Sequence, residues 1–223
     1  MSLPVHAPAV ILLAAALAGC SPKAVVPPPA AFPSSAPLLF PVAGGTLPVR
    51  DERMPGARRD YRGGVHEGVD LYTRANGDGI PCGEPVLNAA DGWVTRADRD
   101  WQDLSIKTYL SVTERLKKVH DEDMLDRLRG RQVWVSLPDG STLRYCHLSD
   151  VATGIGAGVR IGAGTMVGSV GNSGTEDGVR ATGKNCHLHF EVRLPSGEIP
   201  GQGLPPNEVR AVWRKMFGMD EGK

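Results

Sequence analysis

The chain has 223 residues, of which 41% are hydrophobic and 22% charged, as is usual for a globular protein with one sizeable domain. Its 25 basic and 25 acidic residues balance, so the composition indicates neither a basic surface for nucleic acid nor a polyanionic surface. Glycine (28) and proline (18) are abundant, and runs with helical periodicity are few. This combination favours many short strands joined by tight turns.

The first 20 residues are typical of an export signal. Residues 7–19 form an apolar run that is too short to span a bilayer, which needs about 20 apolar residues. The run ends in Leu17-Ala18-Gly19-Cys20, which resembles the bacterial lipobox, where the cysteine becomes the lipidated first residue of the mature chain. No Lys or Arg precedes the run, so a plain secretory signal and an uncleaved anchor are the alternatives.

Lipid on Cys20 would tether the protein to a membrane. Because Ser21 follows the cysteine, we expect a protein of the cell envelope, anchored on the periplasmic face of the outer membrane. Residues 21–38 are rich in proline and alanine and predict an extended linker. The folded domain is predicted over residues 39–200, followed by a tail over residues 201–223.

Two Asp-Gly pairs predict turns between strands. Asp139-Gly140 separates two apolar runs and predicts a hairpin with a type I′ turn, because this pair tolerates positive φ. Asp91-Gly92 predicts a similar turn between short strands at residues 86–87 and 93–95.

Two later segments also predict strands. Residues 159–170 are apolar and punctuated by glycine, which indicates another pair of short strands. Residues 187–193 alternate, with His187, His189 and Glu191 on one face and apolar residues on the other. Period two with one apolar face predicts a half-buried strand.

Residues 102–129 interrupt this pattern with a helix-like sequence. Leu110, Leu116 and Val119 are predicted to share a face, and Asp121 to begin a second short helix. Residues 206–216 predict one more short helix. The predicted fold class is therefore mainly β, an antiparallel sheet with a helical insertion at about residues 100–130 and a short C-terminal helix.

The histidines are concentrated at a few places in the chain. Four of the six lie in the clusters His66-Glu67-Gly68-Val69-Asp70, Tyr145-Cys146-His147-Leu148 and His187-Leu188-His189-Phe190. In an extended strand, residues separated by an even number share a face. Each cluster can therefore point its polar side chains the same way.

These residue types suit a catalytic zinc site. Zinc prefers imidazole nitrogen and carboxylate oxygen, and a catalytic site keeps three protein ligands and one open position. Two histidines and one aspartate satisfy that count. The surplus histidines then suit proton transfer near neutral pH, which hydrolysis of an amide also requires.

The three clusters resemble the HxxxD, xHL and HxH motifs of the lysostaphin/LytM-type zinc endopeptidases. Neighbouring segments agree with this family: Gly68 in HxGxD, Pro85-Val86, residues 89–92, residues 168–174 and HLHFEVR at residues 187–193. The similarity covers about residues 40–193. Each motif alone is weak, but the combination is specific.

Carried over position by position, the resemblance implies Zn²⁺ ligation by His66, Asp70 and His189. It implies catalytic roles for His147 and His187. It also implies a small antiparallel β-sheet groove with the metal at its floor. The implied substrates are the peptides of bacterial peptidoglycan.

Two other functions stay open at this level. Some relatives lose zinc ligands and activate other wall hydrolases, so a non-hydrolytic lipoprotein activator of amidases with a structural zinc is one alternative. A zinc hydrolase of free peptides or proteins is the other. The lengthened segments 97–130 and 175–185 could set substrate choice, occlude the site until a regulatory protein binds, or only decorate the surface.

Three cysteines remain after Cys20, and export favours a disulfide over free thiols. Cys146 and Cys186 each precede a site histidine by one position. Parity directs both away from the metal and allows a bond between them if their strands are neighbours. A bond between Cys82 and Cys186 is the alternative.

Two further side chains have two interpretations each, and a third has one. Tyr145 either lines the substrate groove or packs in the core. Glu191 shares a face with the site histidines, so it either hydrogen-bonds to a ligand or is solvated. His120 lies in the helical insertion, where we expect it at the surface.

Overall fold

The computed structural model describes residues 37–60 and 63–219. The predicted export signal, Cys20 and residues 21–36 of the predicted linker lie outside these ranges. No helix within them has the length and hydropathy needed to cross a membrane.

Short strands form most of the regular structure in the described residues. In chain order they are β1 (Arg58–Arg59), β2 (Gly64–Val65), β3 (Val69–Leu71), β4 (Pro85–Leu87), β5 (Gly92–Ala97), β6 (Val133–Ser136), β7 (Thr142–Cys146), β8 (Leu148–Val151), β9 (Arg160–Ile161), β10 (Met166–Val170) and β11 (Leu188–Arg193). The α-helices are α1 (Ile106–Leu116), α2 (Glu122–Leu128), α3 (Glu176–Val179) and α4 (Pro206–Met216), and a 3₁₀ turn covers Asp51–Arg53. The predicted fold class is confirmed.

The strands form two main antiparallel sheets. Six strands are arranged in the order β3-β11-β7-β6-β5-β9, and three in the order β4-β10-β8. The main core includes the apolar side chains of β11 and β7, together with Trp213 from α4. Strand β11 lies between β3 and β7, so it brings together the three segments that carry the histidine clusters.

The predicted hairpin between β6 and β7 is confirmed, but the prediction of a type I′ turn is wrong. Among the turn residues only Gly140 has positive φ, at 86°. Its N–H donates to the carbonyl oxygen of Leu137 at 3.0 Å, which leaves Pro138 and Asp139 at the two central positions. Because proline fixes φ near −65°, the turn cannot be type I′, which needs positive φ at both central residues.

The turn predicted at Asp91-Gly92 does not form a hairpin, because β4 and β5 lie in different sheets. The two strands predicted over residues 159–170 are confirmed as β9 and β10, and they also lie in different sheets. The chain crosses from one sheet to the other at both places. The Asp91 carboxylate accepts a hydrogen bond from the Ala163 N–H at 2.9 Å, so this turn is fastened to the second crossing.

Strand β11 is buried on both faces, which corrects the half-buried prediction. Phe190 lies on its apolar face, fully buried in the core. On its polar face Glu191 is also 0% exposed, because Arg129 from the end of the helical insertion covers it. The alternation identified the strand correctly but could not reveal that a charged layer covers its polar face.

Both helices of the insertion begin at side-chain caps. Ser105 and Asp121 accept hydrogen bonds from backbone N–H groups three residues later, which confirms the predicted second start. The buried residues of α1 are Val112 and Leu116, whereas Leu110 and Val119 are exposed. The predicted face is wrong because residues four apart, not six, lie above one another on a helix.

The disulfide joins Cys82 to Cys186, and Cys146 is a buried free thiol. The pairing of Cys146 with Cys186 is therefore wrong and the alternative holds. Cys146 is opposite His189 in the β7–β11 ladder, so it shares that residue's face instead of pointing away from it.

We predict that a Cys20→Ser chain, unfolded without reductant, exposes one thiol to Ellman's reagent and three after reduction. Because the bond closes a loop between residues 104 apart, Cys82→Ala/Cys186→Ala should lower the free energy of unfolding by roughly 4–5 kcal/mol. Urea denaturation measures this loss. Reductant should not destabilise the double variant further, and a labelled thiol other than Cys146 would contradict the pairing.

Candidate metal centre

Three potential ligand atoms converge where β3 meets β11. Asp70 and His189 are direct partners in the ladder, and His66 precedes β3. The Nε2 atom of His66 lies 2.9 Å from Oδ1 of Asp70 and 3.1 Å from Nδ1 of His189. Nδ1 of His189 lies 2.8 Å from the same Asp70 oxygen. These three side chains form a compact, buried group with metal-ligating chemistry.

The other ring nitrogens indicate what the centre can bind. His66 Nδ1 is 3.0 Å from the carbonyl oxygen of Met54, and His189 Nε2 is 3.1 Å from Oε1 of Glu191. Both oxygens accept hydrogen bonds, so these nitrogens carry the hydrogens and direct the opposite lone pairs inward. Three acceptors that face one another repel unless a positive charge lies between them.

The donor set fits a divalent ion such as zinc. Two imidazole nitrogens and one carboxylate oxygen leave the fourth position of a tetrahedral centre open. Bonds of about 2.0–2.1 Å would separate neighbouring ligand atoms by about 3.3 Å, a few tenths of an ångström more than the observed separations. The remaining oxygen of Asp70, Oδ2, accepts a hydrogen bond from Arg59 at 3.1 Å, which orients the carboxylate.

Gly68 allows the strand to approach this closely. A Cβ atom at this position would collide with the main-chain oxygen of Phe190 on β11. Glycine is therefore required between His66 and Asp70 for β3 to pair with the strand that carries His189.

His147 and His187 lie beside the three potential ligands. Their ring centroids are 4.8 Å apart, and the Nε2 atom of His187 is 3.8 Å from Oδ1 of Asp70. Nδ1 of His147 donates to the carbonyl oxygen of Ser173 at 2.8 Å, and Nδ1 of His187 donates to that of Asn185 at 2.9 Å. Both rings therefore keep Nε2 as a free base.

The backbone conformation of His147 and the stacking of the His187 ring position these two side chains. His147 has φ of 61°, a left-handed conformation that turns the chain from β7 in the large sheet into β8 in the small one. His187 stacks on Tyr72 with ring centroids 4.3 Å apart and an interplanar angle of 11°. Arg53 lies over the Tyr72 ring at 4.1 Å.

The electrostatics of the site favour neutral imidazoles at His66, His147 and His187 beside an ionised Asp70. Burial lowers the pKa of His66 to about 4, and it also lowers the pKa values of His147 and His187. Burial alone would raise the pKa of Asp70, but the neighbouring histidines hold it well below its usual value. For His189, hydrogen bonds to two carboxylates outweigh burial and raise the pKa.

Tyr145 does not line the groove. It is fully buried, its hydroxyl donates to Oδ1 of Asn88 at 2.9 Å, and it accepts from the Ala89 N–H at 2.7 Å. The parity that placed it beside His147 fails because the positive φ of His147 ends the strand there. Tyr145 instead lies opposite Phe190, on the core side of the sheet.

Other predicted and unpredicted residues surround the centre. Glu191 makes the hydrogen bond to a candidate ligand, His189, that its parity suggested, and His120 is exposed as expected. Sequence reasoning missed Arg59 and Arg129, because neither lies in a motif and both reach the site through tertiary contacts. Glu67 was also missed, although its place next to His66 in the first motif was a signal in the sequence; its carboxylate pairs with Arg129.

The helical insertion packs along one edge of the site. The Gly63 N–H donates to the carbonyl oxygen of Leu116, and the Gly174 N–H donates to the Asp103 carboxylate, each at 2.6 Å. Between the insertion and β2 lies an open cavity of about 230 Å³. It is lined by Gly63, Gly64, Val65, Glu67, Leu116, Val119, His120 and Leu125.

Comparisons with solved structures return several peptidases. A zinc-containing peptidase from Vibrio cholerae is 17% identical, with 75% of this chain and 38% of that chain covered and a TM-score of 0.43. The catalytic domain of lysostaphin from Staphylococcus simulans is 20% identical, with coverages of 66% and 84% and a TM-score of 0.42. A variant of the catalytic domain of the prophage-encoded M23 protein EnpA from Enterococcus faecalis is 21% identical, with coverages of 79% and 95% and a TM-score of 0.41.

The chain spans only 38% of the length of the Vibrio cholerae peptidase. No curated protein matches the sequence. The model of peptidase family M23 matches residues 64–200, more than half of the chain and a range that contains the five convergent site residues. The resemblance to lysostaphin/LytM-type enzymes is thereby confirmed, and the chain belongs to peptidase family M23.

Proposed function

We propose that this protein is a zinc metalloendopeptidase that hydrolyses the cross-links or stem peptides of bacterial peptidoglycan. The convergence of His66 Nε2, Asp70 Oδ1 and His189 Nδ1 carries the proposal. When bound, zinc supplies a Lewis acid for the amide carbonyl and for the attacking water. The match to a family of peptidases supports the hydrolytic class, and the motif resemblance supports the wall peptide as substrate.

His147 and His187 supply the proton chemistry of the proposed reaction. Their Nδ1 hydrogens are held by main-chain carbonyls, so each Nε2 atom can accept a proton. One ring takes the proton of the attacking water at Nε2 and returns it to the leaving amine as the C–N bond breaks. The other ring, with a proton taken up from solvent at Nε2, can donate a hydrogen bond to the oxyanion.

Digestion of purified muropeptides tests the proposal directly. We expect peptide-bond cleavage, detected by mass spectrometry, that a chelator abolishes and added zinc restores. Intact muropeptides combined with stimulation of an amidase would favour the non-hydrolytic activator. Cleavage of free glycine-rich peptides but not of muropeptides would favour a general peptidase.

We predict that His66→Ala and His189→Ala bind zinc far more weakly and lose hydrolysis, because each removes one of three ligands. Metal analysis after dialysis and muropeptide digestion measure the two effects. His120→Ala is the matched control, since that histidine is exposed and outside the centre. Full hydrolysis by either ligand variant would disprove the assignment.

We predict a different result for His147→Ala and His187→Ala. Both should retain stoichiometric zinc while the hydrolysis rate falls by about 10²- to 10⁴-fold, the usual contribution of a general acid or base. Rates at saturating muropeptide, set beside zinc content, separate this effect from ligand loss. Loss of zinc from either variant would reassign that residue as a ligand.

We also propose that lipid on Cys20 places the enzyme in the cell envelope, with the periplasmic face of the outer membrane as its location. Wild-type protein should partition with membranes, and Cys20→Ser should move to the soluble fraction, because it removes the acylated thiol. Fractionation with immunoblotting measures this. Membrane retention of Cys20→Ser would indicate an uncleaved anchor.

A further inference from the structure

Arg129, at the C-terminal end of α2, joins three carboxylates that come from different parts of the chain. Its side chain is 4% exposed. Nε donates to Oε1 of Glu191 at 2.7 Å, Nη1 donates to Oε1 of Glu122 at 2.7 Å, and Nη2 pairs with Glu67. This uses the fork geometry of a guanidinium, which a lysine ammonium does not reproduce.

One of these carboxylates, that of Glu191, contacts a residue of the candidate metal centre. Oε1 of Glu191 accepts from Arg129 and also from Nε2 of His189, at 3.1 Å. The position of Glu191 therefore decides which nitrogen of His189 carries the hydrogen and where its other nitrogen points. Arg129 holds the oxygen that His189 contacts, while Arg144 and Arg193 bond the other oxygen, Oε2.

The main chain at the same turn reaches His147. The Arg129 carbonyl oxygen accepts a hydrogen bond from the His147 N–H at 2.9 Å. At the next residue, Gly130 has φ of 69°, and a Cβ atom there would collide with the carbonyl oxygen of Ser173. That same oxygen accepts the hydrogen bond from Nδ1 of His147. The hydrogen bonds of the His147 N–H and of its ring therefore both depend on the position of the chain where the insertion ends.

We propose that Arg129 is a positioning residue through which the helical insertion orients the ligand His189 and the base His147. The inference rests on the proposed function, in which these two residues have those roles. Arg129 contacts neither the three convergent ligand atoms nor the free nitrogens of His147 and His187 in any hydrogen bond of the described residues. Groups that orient a ligand in this way typically change metal affinity by about 10- to 100-fold when lost.

The test compares Arg129→Met with Arg96→Met. Arg96 also ties α2 to the sheet, through an ion pair with Asp126 at 2.6 Å, but it makes no hydrogen bond to Glu191, His189 or His147. Both variants should lower the melting temperature. Only Arg129→Met should weaken zinc binding, by about 10- to 100-fold in competition with a chromophoric chelator. Its cobalt-substituted form should also show a shifted visible absorption spectrum.

Arg129→Lys provides the second variant if loss of the charge prevents folding. Lysine keeps a cation for the buried carboxylates but cannot bond three of them in fixed directions, so zinc affinity should still fall. Wild-type affinity and an unchanged cobalt spectrum in a folded Arg129 variant would overturn the inference, as would an equal loss in Arg96→Met. Failure of the wild-type protein to bind zinc or to cleave muropeptides would instead overturn the proposed function.

Discussion

The register of β11 against its two neighbours is the constraint on which the rest of the site depends. His189 is opposite Asp70 on β3 and opposite Cys146 on β7. A shift of one residue would turn the polar side chains of β11 into the core and bring its apolar residues to the candidate metal centre. Burial of Phe190 on the core side therefore also positions His189, so the hydrophobic effect and the ligand geometry favour the same register.

Local patterns predicted what depends on local geometry. The alternation of residues 187–193 identified β11, and the cap at Asp121 identified the start of α2. Parity failed where the backbone leaves the extended region. His147 has positive φ, so the face assigned to its neighbours Tyr145 and Cys146 was reversed, and the Cys146–Cys186 bond that this face allowed does not form.

Sheet membership was harder to predict than strand position. β4 and β5 are separated by a short turn but belong to different sheets, since pairing is decided by distant strands that compete for the same edge. The charged layer that covers the polar face of β11 could not be predicted either, because it also depends on residues that are distant in the sequence. Arg129 and Glu191 are 62 residues apart, and only the folded insertion brings them together.

The buried charges of Arg129 and Glu191 contribute more to a single arrangement of the site than to the free energy of unfolding. Removing an arginine and a carboxylate from water costs several kcal/mol per ion, and their attraction offsets this only when the remaining hydrogen bonds are made. Here Glu191 is bonded by Arg129, Arg144, Arg193 and His189, so its oxygens are well satisfied. An apolar layer could stabilise the sheet as well, but it could not fix the tautomer of His189.

The left-handed conformation of His147 extends the same argument to the side of the site that carries His147 and His187. A non-glycine residue with positive φ is strained by about 1–2 kcal/mol and persists only when its surroundings hold it. Its N–H is held by the carbonyl oxygen of Arg129, the Leu148 N–H by that of Arg131, and its ring by Ser173. The end of the insertion thus maintains the strained turn at His147, and the packing of that insertion is part of the geometry of the site.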